Sequence, residues 1–368
     1  MSKTYRIGVI GSTGRGNYGH GLDTTWLDVP NTKIVAVADD DAAGLAKATQ
    51  RLGVDKGFAS YREMLAEVEL DIVAICPRWV DQHRDMAVAA AERGVHIYTE
   101  KPLCRTLQEA DEIVDACERT HVKLMVAHPT HFSPKLEIVK KLIADGAIGQ
   151  VLEYRARGKE DRRGGGEDLW VLGTHMLDLM RAIAGHPKWC FARVTQDGHA
   201  ITKADVVDGP EGLGPLAGDA IRAMYGVSDG SPMHFSSYRN AASPGPRRYG
   251  LQIFGTKGVL EIVEGTLPPV KFLADPSWSP GRSGRQWQDV SSAGIGKPEP
   301  LQGKKYTARH LLAIDEFLSA IEENREPKSS MYQARGIVEM LAATFESARH
   351  GKPVSLPLET RANPLTRL

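Results

Sequence analysis

The sequence predicts an α/β protein whose N-terminal part is a doubly wound parallel sheet. Three observations carry this. Short apolar runs alternate with helical segments through the first 130 or so residues. Those runs are apolar throughout and do not alternate, as strands buried on both faces must be. The 368 residues also exceed the roughly 250–300 at which one core stops growing, so a second domain is expected.

The predicted strands are residues 6–10, 33–38, 71–76, 95–99 and 122–127. Between them, 41–52, 62–68, 82–93 and 107–120 carry apolar residues at helical spacing, with Gly94 as a C-cap. Right-handed crossovers then wind the sheet. The second half reads differently. In 149–159, Glu153, Arg155, Arg157 and Lys159 alternate with Leu152, Tyr154 and Ala156. Residues 220–227 and 232–238 flank Ser228-Asp229-Gly230-Ser231 as a hairpin, and 254–263 holds another turn between strands. Rich in Pro, Gly and Ser, 267–303 reads as a long surface excursion. The expected domains are 1–127 and 128–368, the C-terminal helices packing back on the first.

Lys plus Arg equals Asp plus Glu at 46 each, which argues against a strongly basic nucleic-acid binder and a polybasic membrane anchor. No stretch approaches the ~20 apolar residues of a membrane helix, and the residues after Met1 do not read as a secretory leader. The four cysteines form neither a disulfide framework nor a C-x-x-C pair, so no structural metal is expected and a cytoplasmic location is.

In such sheets ligands bind beyond the carboxyl ends of the strands, here residues 11–16, Asp39 and Asp40, 76–79, 100–102 and 128–131. The first end, Gly11-Ser12-Thr13-Gly14-Arg15-Gly16, is a permissive turn for a diphosphate, whose charge the next helix's N-terminus would stabilise; Thr13 stands where G-x-G-x-x-G needs glycine. Asp39 ends the next strand, placed to hold the adenosine ribose, and Asp41 is placed to cap a helix. An acid there repels a 2′-phosphate, so NAD is expected over NADP.

The stretch VHIYTEKPLCRTLQEADEIV, with Glu100-Lys101-Pro102 after the fourth strand, resembles the Gfo/Idh/MocA oxidoreductases, the family of glucose–fructose oxidoreductase and inositol dehydrogenase. FGTKGVLEI at 254–262 and the C-terminal FLSAIEENREPKSS and ARGIVEMLAATFESARHGKPVSLPL extend the similarity over nearly the whole chain. The resemblance implies a Rossmann domain, then an α/β domain with a large, open, mostly antiparallel sheet that often mediates oligomerisation. It also implies NAD-dependent hydride transfer at a sugar or cyclic polyol carbinol bound between the domains, without metal, in a homo-oligomer (dimer or tetramer). Two alternatives stay open: redox-neutral glycoside cleavage through a transient keto-sugar, and nucleotide binding without catalysis.

The resemblance places Lys101 near the nicotinamide, where desolvation and a cationic ring lower an amine's pKa and fit it to share the hydroxyl proton. Glu100 is expected to contact the cofactor or orient Lys101. Cys76-Pro77-Arg78-Trp79 with His83 resembles the family's loop against the dinucleotide. At the family's D-x-x-x-H-x-x-D, His175 and Asp178 match but Val171 replaces the first acid, leaving Asp178, one turn away, as partner for a catalytic His175. Positions 168, 171, 175, 178 and 182 would share a helical stripe, with Glu167 or Asp168 opening the helix. Residues 127–132 sit where relatives often have Asn-Arg, making His128 and His131 substrate candidates. Arg162 and Arg163, with Glu167 and Asp168, adjoin the glycine-rich loop as further substrate candidates.

Overall fold

The computed structural model describes residues 3–241 and 248–368. Two compact units emerge: Met1–Ala127 with Gly209–Gly214 and Arg309–Val338, and His128–Asp208 with Pro215–Ala308 and Glu339–Leu368.

The first unit is built on six parallel strands: β1 (Tyr5–Ile10), β2 (Thr32–Ala38), β3 (Gly57–Phe58), β4 (Ile72–Ile75), β5 (His96–Thr99) and β6 (Leu124–Val126), in the order β3-β2-β1-β4-β5-β6. Ile7, Val9 and the whole of β4 are fully buried, which explains their unbroken apolar character. Helices α1 (Ala42–Leu52), α2 (Tyr61–Glu67), α3 (His83–Ala91) and α4 (Leu107–Thr120) connect them. Asp41 caps α1 by accepting from Gly44 N at 2.6 Å, and Gly53 closes it at φ 65°.

The crossover from β1 to β2 corrects the sequence reading. No α-helix forms among the described residues 11–31; a 3-10 turn at Thr24–Asp28 is the helical element there. Gly14, Gly16, Gly19 and Gly21 take φ of 84°, 91°, 63° and 87°, and Asn17 takes 55°. Such left-handed values cannot propagate a right-handed helix. The expected helix N-terminus beneath a diphosphate is therefore missing.

The second unit carries, among the described residues, an 11-stranded sheet. Pro232–Tyr238 and Val151–Arg157 pair in parallel; the other described neighbours are antiparallel. The unit's helices include α5 (Pro134–Ala144), α6 (Gly166–Val171) and α7 (Gly173–Ala184), the last packed on strands Val151–Arg157, Pro232–Tyr238 and Gly250–Gly255. Residues 267–303 are not a plain excursion. They supply Val270–Leu273, Gln288–Ser291 and Gly294–Ile295, which extend the sheet because Val270, Leu273 and Val290 are buried among the turn-formers. The helical stripe expected from 168 to 182 is also interrupted. Leu172, at φ −127° and ψ −38°, ends α6, so Asp168 and Val171 lie on a different helix from His175 and Asp178.

Candidate active site

In the nucleotide unit, the turn after β1 is organised by Asp39. Its Oδ1 accepts from Thr13 N (3.1 Å) and Asp41 N (3.0 Å), and its Oδ2 from Thr13 Oγ1 and Tyr18 OH, both at 2.7 Å. Burial raises this carboxyl, but those donors outweigh it and hold it below the usual range. A carboxylate has about four acceptor positions, and protein donors fill them. Asp39 thus fastens the turn. Its neighbour Asp40 is exposed, with Ser12 Oγ 3.4 Å from its carboxylate. Both acids, with Ser12, Tyr61 and Met86, line a cavity of about 160 Å³ beyond β1 and β2.

That cavity fits the adenosine part of a dinucleotide: carboxylate and hydroxyl on one side, Ala59, Tyr61 and Met86 for a base. A Cβ at Gly14 would meet nothing within 4 Å, so backbone is open for a diphosphate above the turn. Arg15 stacks on Trp79 at 4.6 Å and forms an ion pair with Asp81, tying the turn to the loop after β4.

Glu100, after β5, is 1% exposed. Its Oε1 accepts from His20 N (3.0 Å) and His20 Nδ1 (2.7 Å), its Oε2 from Lys101 N (3.1 Å). Burial pushes this carboxyl up, but His20 and the charge of Lys101 pull it down to about 2. Glu100 therefore positions Lys101 through its backbone. Lys101 is buried, and its peptide bond to Pro102 is cis. Both ring nitrogens of His83 face backbone carbonyls, Pro102 O at 2.9 Å and Pro77 O at 2.7 Å, so this side chain braces two loops and offers no atom to a ligand. Cys76 and Pro77 are buried, and burial pushes the Cys76 thiol up.

In the second unit, one buried carboxylate gathers imidazoles. His131 Nδ1 lies 2.8 and 3.0 Å from the oxygens of Asp178, and His128 Nδ1 lies 3.9 Å from Oδ1. The His128 and His175 rings meet edge to face at 5.5 Å. Asp178 thus pairs with His131, 47 positions away in the sequence. Asp168 is buried and accepts from Ser237 Oγ (2.5 Å), Glu160 N (3.0 Å) and Lys159 N (3.2 Å), which anchors the 158–168 loop. A Cβ at Gly158 would strike Asp168 Oδ2 at 2.0 Å. Arg163 pairs with Asp161 at 2.7 Å; Arg162 is exposed and Glu167 half-buried.

The sequence pattern of the Gfo/Idh/MocA family's NAD-binding Rossmann fold matches residues 5–128, and that of its C-terminal alpha/beta domain matches 140–356. The chain belongs to this NAD-binding oxidoreductase family. It is 32% identical to D-apiose dehydrogenase of Paraburkholderia graminis (93% of this chain, 88% of that one) and 26% identical to levoglucosan dehydrogenase of Pseudarthrobacter phenanthrenivorans (89% and 90%). The crystal structure of levoglucosan dehydrogenase with NADH and L-sorbose shares the fold at a TM-score of 0.76 and 23% identity, over 97% of this chain and all of that one.

The sequence reading did not single out Tyr18 and His20. Tyr18 and His20 lie in the glycine-rich segment that folds without a helix, where spacing gives no guide to contacts. Asp40 was visible, but only the acceptor count at Asp39 distinguishes the two acids.

Proposed function

We propose that the protein is an NAD-dependent dehydrogenase of a sugar or cyclic polyol, with Lys101 as its central acid–base group. The observation that supports this most is Lys101 itself, buried and fixed by the ionised Glu100 at the carboxyl end of β5. Bound NAD supplies a two-electron hydride acceptor. Asp40 and Ser12 hold the adenosine ribose, and the Gly14 turn with Arg15 faces the diphosphate. Lys101 binds the reacting hydroxyl and shares its proton as the carbonyl forms. Within the second unit, His128, His131 and His175 are the proposed hydroxyl-binding groups, with Asp178 fixing the His131 tautomer. Arg162, Arg163 and Glu167 have the weaker claim to substrate, being paired or turned outward. D-apiose and levoglucosan dehydrogenases, as relatives spanning most of this chain, support the substrate class.

The working form is proposed to be a cytoplasmic homo-oligomer. All four cysteines are free and buried, as suits a reducing compartment. A trough of about 890 Å³ lies over the large sheet, lined by Arg155, Phe191, Arg222, Met224, His234 and Tyr238. Phe191 is 41% exposed there, a surface suited to a second copy and checked by sedimentation. No described helix is long and apolar enough to cross a membrane.

The test is NADH formation from NAD⁺ across a panel of sugars, anhydrosugars and cyclic polyols. A stereospecific rise in absorbance supports the dehydrogenase. Glycosidic cleavage without NADH accumulation would replace it with the redox-neutral reading, and binding without turnover would leave a nucleotide-binding protein.

A further inference from the structure

We propose that His20 is a catalytic residue that accepts the substrate hydroxyl's proton beside Lys101. This rests on the dehydrogenase reading above and adds to it a residue outside the motifs read from the sequence.

The argument starts with the glycine-rich segment. Because it does not become a helix, it continues past Gly16 into the space at the ends of β4 and β5. At Gly19, with φ of 63°, a Cβ would lie 2.6 Å from Cys76 O and 2.7 Å from Glu100 Oε1. Only glycine allows this approach, and it delivers the next residue, His20, onto the Glu100 carboxylate. Glu100 is ionised at neutral pH, so it accepts and His20 Nδ1 donates, at 2.7 Å. The His20 backbone is held twice more: its N–H donates to the same carboxylate at 3.0 Å, and its carbonyl lies 3.2 Å from His310 Nε2. Tyr98 OH in turn sits 2.9 Å from His310 Nδ1.

The arrangement fixes both ring position and tautomer. With the proton on Nδ1, Nε2 is the basic nitrogen. It has no protein partner among the described residues, and the side chain is 39% exposed against 1% for the carboxylate behind it. A buried carboxylate behind an outward-facing imidazole is the arrangement of a general base. The same carboxylate holds Lys101 N at 3.1 Å, so one anion sets both groups at the end of β5.

The step balances. The substrate O–H bond breaks and its proton goes to His20 Nε2. The C–H bond on the same carbon gives its electron pair, as hydride, to NAD⁺. The alcohol is oxidised to a carbonyl, NAD⁺ is reduced, and the imidazolium passes its proton to solvent. Lys101 binds the same oxygen and shares its proton until His20 takes it.

The experiment compares wild type with His20→Ala and His20→Asn. Asn keeps a donor for Glu100 but has no Nε2. We expect kcat to fall about 100-fold in both, with NADH affinity by fluorescence titration within about threefold of wild type. Added imidazole should restore at least tenfold of the rate to His20→Ala, a response that a structural defect does not give. Rates within threefold of wild type overturn the proposal. So does a loss confined to NADH affinity, the absence of imidazole rescue, or the loss of cooperative melting in both variants. Failure of wild type to oxidise any sugar or polyol is a different result: it refutes the dehydrogenase reading itself.

Discussion

Glu100→Gln isolates the anion that organises the nucleotide unit. The substitution keeps the size of the side chain and removes its charge. The amide can offer one oxygen, while its NH2 must face a donor, either the Lys101 N–H or the two groups of His20 that now share Oε1. The carboxyl is held at about 2 against an ordinary 4.5. At 1.36 kcal/mol per pH unit, that depression is worth about 3 kcal/mol at neutral pH. A folded value below the unfolded one stabilises above the unfolded pKa. The contribution is therefore complete above about pH 4.5 and is lost as pH falls toward 2. At roughly 2–4 °C per kcal/mol for a unit of this size, the melting temperature at pH 7 should drop by about 6–12 °C. Calorimetry of both proteins from pH 7 to pH 3 checks this, since the gap must narrow as the medium acidifies. A pH 7 melting temperature within 2 °C of wild type, or a gap that widens in acid, refutes the reasoning.

Lys101→Met should reduce kcat at least ~100-fold while NADH binding by fluorescence stays within a few-fold, because the side chain is assigned to the reacting oxygen and its backbone N–H still donates to Glu100. Asp40→Asn should weaken NADH about tenfold, the loss of one charge-assisted hydrogen bond, and narrow the preference over NADPH as read by paired titrations. Asp178→Asn removes the acceptor 2.8 Å from His131 Nδ1; it should raise KM or lower kcat about tenfold or more in steady-state kinetics.

How much of this could be read in advance follows from the range of the forces. The parallel strands were legible because burial on both faces leaves a mark on each residue: fully buried β4 is apolar at every position. The large sheet's hairpin at Ser228–Ser231 was legible because its turn chemistry is local. Contacts across the chain were not. The Glu100–His20 pair spans 80 positions and the Asp178–His131 pair spans 47, and no periodicity connects either. The missing helix after β1 shows the same limit from the other side. Glycines that would serve a diphosphate turn also permit a chain reversal, and the choice fell to tertiary contacts at Asp39 and Glu100. Strands inside 267–303 were masked by the turn-formers around them.

The departure at Val171 has a physical reading that a substitution can test. The family pattern would put an aspartate there, one turn before His175. In this chain the two positions no longer share a helix: α6 ends at Val171, Leu172 leaves helical geometry, and His175 N donates to Leu172 O at 3.1 Å. Val171 is 3% exposed, so Val171→Asp buries a carboxylate. The expected result is a loss of stability of about 3 kcal/mol or more and no gain in turnover. The chain instead places its carboxylates elsewhere, Asp178 on His131 and Glu100 on His20. A Val171→Asp variant that melts like wild type and turns over faster would overturn this reading and return the carboxylate's role to position 171.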